Sequence, residues 1–240
     1  AGTIAVKDYA LGMVAGAGAT AVNDKTITVN GTDAVGMSAE TDATKSTTTL
    51  TNDGKITVTK GIGISVKGDG KAEVAAGEIE VADAEGNIGI NIADGTEKTT
   101  VTGAKITLAG AGKGINAEGN VTLKDIAITL SEAATGTGIK YDGKTTKATA
   151  EISTGNIDIK AAGTGIDATM SNQATSTLNI KTGSIKTVAD TTGIKIAGSS
   201  EVVEAPGAGK TATTANVTTT LGETEGTGVE VTGKANNIIN

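Results

Sequence analysis

Residues 105–115 read KITLAGAGKGI, and this stretch contains the two signals that decide the fold. Ile106 and Leu108 alternate with polar residues, which is the two-residue period of a β-strand with one buried face. Gly114 and Ile115 follow a few residues later as a glycine–aliphatic pair. Both signals recur in the same order along the chain. The sequence therefore predicts a structural repeat rather than one globular layer.

The glycine–aliphatic pair sets the length of the repeat. Successive pairs are separated by 24, 27, 26, 25, 24, 27, 28 and 35 residues. Most pairs follow an apolar-x-apolar triplet and a third short β-rich arm, with Gly, Asn, Asp and Ser at the corners between arms. The nine pairs begin at Gly12, Gly36, Gly63, Gly89, Gly114, Gly138, Gly165, Gly193 and Gly228.

Three arms and three corners in each repeat predict an all-β fold, a parallel β-helix (β-solenoid). It has about nine coils of roughly 24–28 residues, each with three short strands. The general preference for right-handed parallel crossovers favours a right-handed coil. Stacking in register predicts an interior ladder formed by Ile64, Ile90, Ile115, Ile139, Ile166 and Ile194.

Composition narrows the function classes. The 240 residues include no Phe, Trp, His, Arg or Cys, and Tyr9 and Tyr141 are the two aromatic residues. The core is therefore expected to be narrow and aliphatic. A net charge of -7 without Arg disfavours a nucleic-acid partner. The absence of Cys excludes disulfides and thiolate metal sites.

The 35-residue gap between Gly193 and Gly228 predicts an insertion that protrudes as a loop, which we place at residues 197–216. Its residues 204–211 end in the Gly-Lys-Thr of a phosphate-binding loop. However, Glu204 replaces the first glycine of that motif, and no helix is predicted to follow. Loops on a rigid scaffold frequently carry recognition, although an insertion without a role is the alternative. The candidate partner-binding residues are Glu201, Glu204, Pro206, Gly207 and Lys210.

The sequence predicts no catalytic residue, no cofactor and no metal site. Glu78 and Glu80 are paired acids, as in polysaccharide-cleaving β-helices, but strand alternation turns both outward. A carbohydrate-active β-helix enzyme stays open as an alternative. The Thr-x-Thr fragments at 26–28 and 57–59 leave a self-contained structural or ice-binding solenoid as another alternative.

The motifs Gly136-Thr137-Gly138-Ile139, Gly163-Thr164-Gly165-Ile166 and Gly226-Thr227-Gly228-Val229 each follow an alternating strand. In this respect the whole chain resembles the passenger domains of bacterial autotransporters, in particular the very large fusobacterial adhesins. The resemblance implies that residues 1–240 are one continuous segment of a longer right-handed β-helical passenger. It also implies export through a C-terminal β-barrel that is not part of this sequence. The passenger would be attached to the membrane only through that barrel. Export through a separate partner barrel stays open.

The same resemblance implies a function. Such a chain is expected to be a non-enzymatic adhesin or stalk, exposed on the bacterial outer membrane or secreted. Its expected partner is a surface receptor protein or glycan on a host cell or a neighbouring bacterium. Terminal coils without caps are unpaired strand edges. We therefore also expect the isolated chain to associate end to end.

Overall fold

The computed structural model describes the protein as one sheet of 21 strands, and every pairing between strands is parallel. No α-helix occurs among the described residues. These are residues 2–93, 95, 97–143, 149–170, 177–198, 214–224, 226–232 and 236–239.

The strands are short where a corner separates two arms, and long where the pairing continues around a corner. They are β1 (Thr3–Val6), β2 (Leu11–Ala15), β3 (Thr20–Asn23), β4 (Thr26–Thr41), β5 (Thr48–Asn52), β6 (Lys55–Gly68), β7 (Ala72–Ala75), β8 (Glu78–Val81), β9 (Ile88–Ile92), β10 (Thr99–Thr102), β11 (Lys105–Leu108), β12 (Lys113–Glu118), β13 (Val121–Leu130), β14 (Thr137–Gly143), β15 (Thr149–Ile159), β16 (Thr164–Met170), β17 (Thr177–Thr187), β18 (Thr192–Gly198), β19 (Thr214–Thr224), β20 (Thr227–Thr232) and β21 (Asn236–Ile239).

Each turn adds one arm to each of three stacked faces, so the predicted β-solenoid with three strands per coil is confirmed. Face 1 contains the triplet arms, stacked through Ile56, Ile79, Ile106, Ile128 and Ile157. Face 2 contains the glycine–aliphatic arms, stacked through Ile64, Ile90, Ile115, Ile139, Ile166 and Ile194. Face 3 contains the third arms, stacked through Leu50, Val74, Val101, Leu123, Ile152 and Ile180.

The number of complete turns is slightly lower than predicted. About seven turns have all three arms in place between Thr3 and Thr182, whereas the repeat predicted about nine coils. The second half of β17 and strands β18 to β21 continue the same faces. The segments that join these later strands, residues 199–213, 225 and 233–235, lie outside the described residues.

The repeated glycine is required by a close approach between turns. A Cβ built on Gly89 would lie 2.5 Å from the carbonyl oxygen of Gly114, and a Cβ on Gly114 would lie 2.5 Å from that of Gly138. The same contact, at 2.5 or 2.6 Å, links each glycine of the series from Gly12 to Gly193 with the next. None of these glycines has the positive φ that is found at corner residues such as Gly103 (67°). Steric exclusion of a side chain, not backbone conformation, explains why the glycine recurs.

The predicted face 2 ladder is confirmed, because all six isoleucines are fully buried. The core departs from the expected aliphatic composition at Tyr141, which is also fully buried. Tyr141 stacks between Ala117 and Ala168, whose small side chains leave room for its ring. Its hydroxyl group donates a hydrogen bond to the carbonyl oxygen of Gly119 at 3.1 Å. The narrow core therefore admits one aromatic residue where both neighbouring turns carry alanine.

The inner row of face 1 changes from apolar to polar near its end. Leu108, Leu130 and Ile159 fill successive positions of this row, and Thr187 occupies the equivalent position of the next turn. Thr187 is 4% exposed, and within the part of the chain that the structure describes its Oγ1 has no hydrogen-bond partner. Burial of an unpaired hydroxyl group is unfavourable, so this turn is a weak point of the stack.

We predict that Gly114→Ala destabilises the turns on either side of it by about 1–3 kcal/mol, because the added methyl group overlaps the Gly138 carbonyl oxygen. Amide hydrogen exchange at Ile115 and Ile139 measures this local opening. Gly16→Ala is the matched control, because a Cβ at Gly16 meets no atom within 4 Å. Equal exchange rates in both variants would contradict the steric explanation.

We predict that Thr187→Val stabilises the chain by about 1–3 kcal/mol, since valine has the same shape and leaves no unpaired hydroxyl group. Thermal unfolding followed by circular dichroism tests this. The control is Thr107→Val at an exposed position of face 1, where a change within about 0.5 kcal/mol is expected. A lower midpoint for Thr187→Val would show that the hydroxyl group is satisfied.

Candidate functional site

The residues predicted to bind a partner cannot be placed. Glu201, Glu204, Pro206, Gly207 and Lys210 all lie outside the described residues. Within the predicted loop 197–216, β18 extends to Gly198 and β19 begins at Thr214. The loop therefore stays a prediction.

The paired acids Glu78 and Glu80 face outward, as predicted from the alternation of the strand. Both contact one lysine: the Lys55 Nζ lies 3.2 Å from Glu78 Oε1 and 2.5 Å from Glu80 Oε1. The hydrogen bond to Glu80, with a smaller contribution from Glu78, raises the pKa of Lys55 above its ordinary value of 10.5. The two acids form a surface ion-pair cluster across adjacent turns.

Charges of opposite sign also alternate along face 2. Lys140 Nζ lies 2.6 Å from Asp167 Oδ2, and Asp167 is in register with Lys195 of the next turn. Lys67 and Glu40 pair in the same way at 2.9 Å. Exposed pairs of this kind contribute little to stability individually. Each pair neutralises its own two charges across adjacent turns.

A row of corner residues, one per turn, runs alongside the glycine series and was not identified from the sequence. The residues in its first half are apolar and those in its second half are threonines, with Lys113 between the two halves. The apolar side chains are partly or largely exposed and lie outside the core. The row consists of Leu11, Val35, Ile62, Ile88, Lys113, Thr137, Thr164, Thr192 and Thr227.

The surface of the described residues includes an open groove of about 270 Å³ on face 1, which we call the face 1 groove. It spans three turns. Its lining consists of Ala127, Ile128, Thr129, Asn156, Ile157, Asp158, Ser184 and Lys186.

The groove exists because short side chains replace long ones in one outward row. In earlier turns this row contains Lys55, Glu78 and Lys105, stacked directly on one another. Ala127 follows Lys105 in register, and Asn156 and Ser184 occupy the same position in the next two turns. The loss of side-chain length lowers the surface over these three turns.

The adjoining corner is also irregular. Leu123 pairs with Ile152 and Ile128 with Ile157, but between them Ile126 pairs with Thr154, one residue out of step. The pairing register therefore shifts by one residue at Ile126 and returns to its earlier offset at Ile128, within a single corner. Local irregularities of this kind redirect side chains and are common beside functional sites. This one lies immediately before Ala127 and Asn156.

Hydrogen-bonding groups of every type face the groove. Asn156 Oδ1 accepts a hydrogen bond from the Ser184 backbone N–H at 3.2 Å, which leaves the side-chain NH2 group as a donor. Asp158 contacts Lys160 at 3.8 Å, a long ion pair. Lys186 is in register with Asp158, yet within the described part of the chain it forms no ion pair of 4.0 Å or less. Thr129 adds a hydroxyl group.

A second hollow of about 150 Å³ lies on face 3, where Ala75 leaves space beside Glu73 and the hydroxyl groups of Thr49, Thr100 and Thr102. It is smaller, and Glu73 is its one charged lining residue. The face 1 groove is the better candidate site, because it combines a carboxylate, an ammonium group, an amide and two hydroxyl groups.

The described residues contain neither a candidate metal site nor a membrane-spanning helix. No group of three or more acidic side chains is placed to hold a metal ion there. Within those same residues, no helix is long and apolar enough to cross a membrane. Comparison with known proteins found no matching family model, no similar curated protein and no similar solved structure.

Proposed function

We propose that this chain is a non-enzymatic adhesin or stalk segment at the surface of a bacterium, where it presents binding surface to a host cell or a neighbouring bacterium. The observation that carries the proposal is the continuous parallel stacking of three faces. Such stacking repeats outward side chains at about 4.8 Å intervals along a rod. A rod of this kind offers extended surface for attachment and also separates whatever lies at its two ends.

The arrangement of the acids supports a binding function over the alternative, a carbohydrate-active enzyme. A general acid and base need to converge on one substrate bond from opposite sides. Glu78 and Glu80 instead share Lys55 on an outward face. The face 1 groove has Asp158 as its one acidic lining residue.

The resemblance of the repeated Gly-Thr-Gly-Ile motifs to autotransporter passengers supports a location at the cell surface or in the secreted fraction. A surface receptor protein or a glycan is the proposed partner. Secretion is also compatible with the absence of Cys, because a chain without thiols cannot form wrong disulfides in an oxidising compartment.

We predict that beads coated with the protein attach to epithelial or bacterial cells in a saturable manner, and that excess soluble protein inhibits this attachment. Beads coated with heat-denatured protein are the control. The paired variant E78Q/E80Q should attach as the unmodified protein does, because these acids serve as surface charges.

Release of reducing ends from polysaccharides is measured on the same samples. Turnover by the unmodified protein that disappears in E78Q/E80Q would contradict the proposal and favour the enzyme. Attachment no greater than with denatured protein would also contradict an adhesive role.

End-to-end association of the isolated 240-residue chain stays a prediction, and the first turn supports it. Among the described strands, β1 and β2 pair only with β4, and β3 pairs only with β5. The same turn exposes large apolar side chains: Tyr9 is 75% exposed, Leu11 46%, Val14 49% and Val22 50%. An unpaired edge beside exposed apolar groups favours association with another coil.

We predict concentration-dependent oligomers in sedimentation velocity, and fewer of them for Leu11→Lys. Ile62→Lys is the matched control, because Ile62 lies in the same corner row but is already paired on both sides. A monodisperse monomer of the unmodified chain at high concentration would contradict end-to-end association.

A further inference from the structure

The face 1 groove has no apolar pocket for a peptide side chain. Its two isoleucines, Ile128 and Ile157, are 1% and 0% exposed and therefore contribute almost no accessible surface. The backbone groups of the arms beneath it are paired with the turns above and below. Recognition in this groove therefore depends on polar side chains.

The polar groups of the groove match a ligand that is rich in hydroxyl groups. The Asp158 carboxylate can accept hydrogen bonds from two adjacent hydroxyl groups. The NH2 group of Asn156 can donate to a ring or hydroxyl oxygen, and Thr129 and Ser184 can donate or accept. Saccharides present such groups at short, regular intervals.

The charges of the groove favour an acidic ligand over a neutral one. Asp158 has Lys160 within 3.8 Å, whereas the described residues give Lys186 no ion-pair partner. Lys105 flanks the groove, next in register to Ala127. Lys105 is itself in register with Glu78, so the groove charge that has no ion-pair partner among the described residues is the ammonium group of Lys186, although the chain has a net charge of -7. Ammonium–carboxylate hydrogen bonds are stronger than those between neutral groups.

We propose that the face 1 groove binds an acidic saccharide of the uronic acid class. Lys186 pairs with the sugar carboxylate, while Asp158 and Asn156 bind its hydroxyl groups. The inference rests on the proposed adhesive function and deepens it by naming a receptor chemistry. The groove is shallow and open, so a single sugar unit is expected to bind weakly, with a dissociation constant in roughly the millimolar range.

The test uses two probes that differ at one position, methyl β-glucuronoside and methyl β-glucoside. Each is titrated into the 15N-labelled full chain while amide chemical shifts are recorded. The glucuronoside is expected to shift the amides of residues 156–158 and 184–186, and to bind at least about five-fold more tightly than the glucoside.

Variants assign the roles of the two charged groups. K186Q should remove the preference for the glucuronoside, and D158N should weaken binding of both sugars. K181Q is the matched control, because Lys181 is an exposed lysine of the same strand, β17, but lies on face 3, and it should leave both titrations unchanged. The proposal would be overturned if the groove amides did not shift, or if K186Q still bound the glucuronoside more tightly than the glucoside by the same factor as the unmodified protein.

The same variants separate this inference from the proposed function. If K186Q loses the sugar preference while K186Q-coated beads attach as before, the groove is overturned as the receptor site and the adhesive function stands. If the unmodified protein binds the sugar but its beads do not attach to cells, the adhesive function is overturned and the groove assignment stands.

Discussion

The close contact between glycines of successive turns is the constraint on which the solenoid depends. The carbonyl oxygen of each glycine lies 2.5 or 2.6 Å from the point where a Cβ of the preceding glycine would be. A side chain at any of these positions would separate two turns and disturb the pairing of all three faces. The inner residues pack in register because this spacing is kept. Stability is consequently shared between neighbours, as in other repeat proteins.

The sequence was sufficient to predict the parallel solenoid, because the two-residue alternation of the arms and the recurring glycine both indicate which residues face the interior. It was not sufficient for features that depend on contacts between turns. Tyr141 was counted as one of two aromatic residues, but its burial depends on Ala117 and Ala168 in the turns that flank it. The sequence also could not show that the glycine is selected by the oxygen of the next turn. About seven turns are complete, which is slightly fewer than the nine coils that the repeat predicted.

The candidate site illustrates the same limit. The sequence placed Gly, Asn, Asp and Ser at the corners between arms, but a groove appears only when the row of Asn156 and Ser184 is aligned with Lys105 and Ala127 across the turns. A search for short residues in an outward row of long ones would have found it. The predicted partner-binding loop around Pro206 lies outside the described residues and remains a separate hypothesis. In this stack a groove forms where one outward row loses side-chain length over three turns.

The most direct test of this account is a methyl NOE experiment on protein labelled at the isoleucine δ1 methyl groups. In-register parallel stacking predicts contacts from Ile90 to Ile115 and from Ile115 to Ile139 on face 2, and from Ile106 to Ile128 and Ile128 to Ile157 on face 1. Each isoleucine should contact the equivalent isoleucine of the next turn along the chain. Contacts that skip turns, or that pair the arms in antiparallel order, would contradict the stacked solenoid.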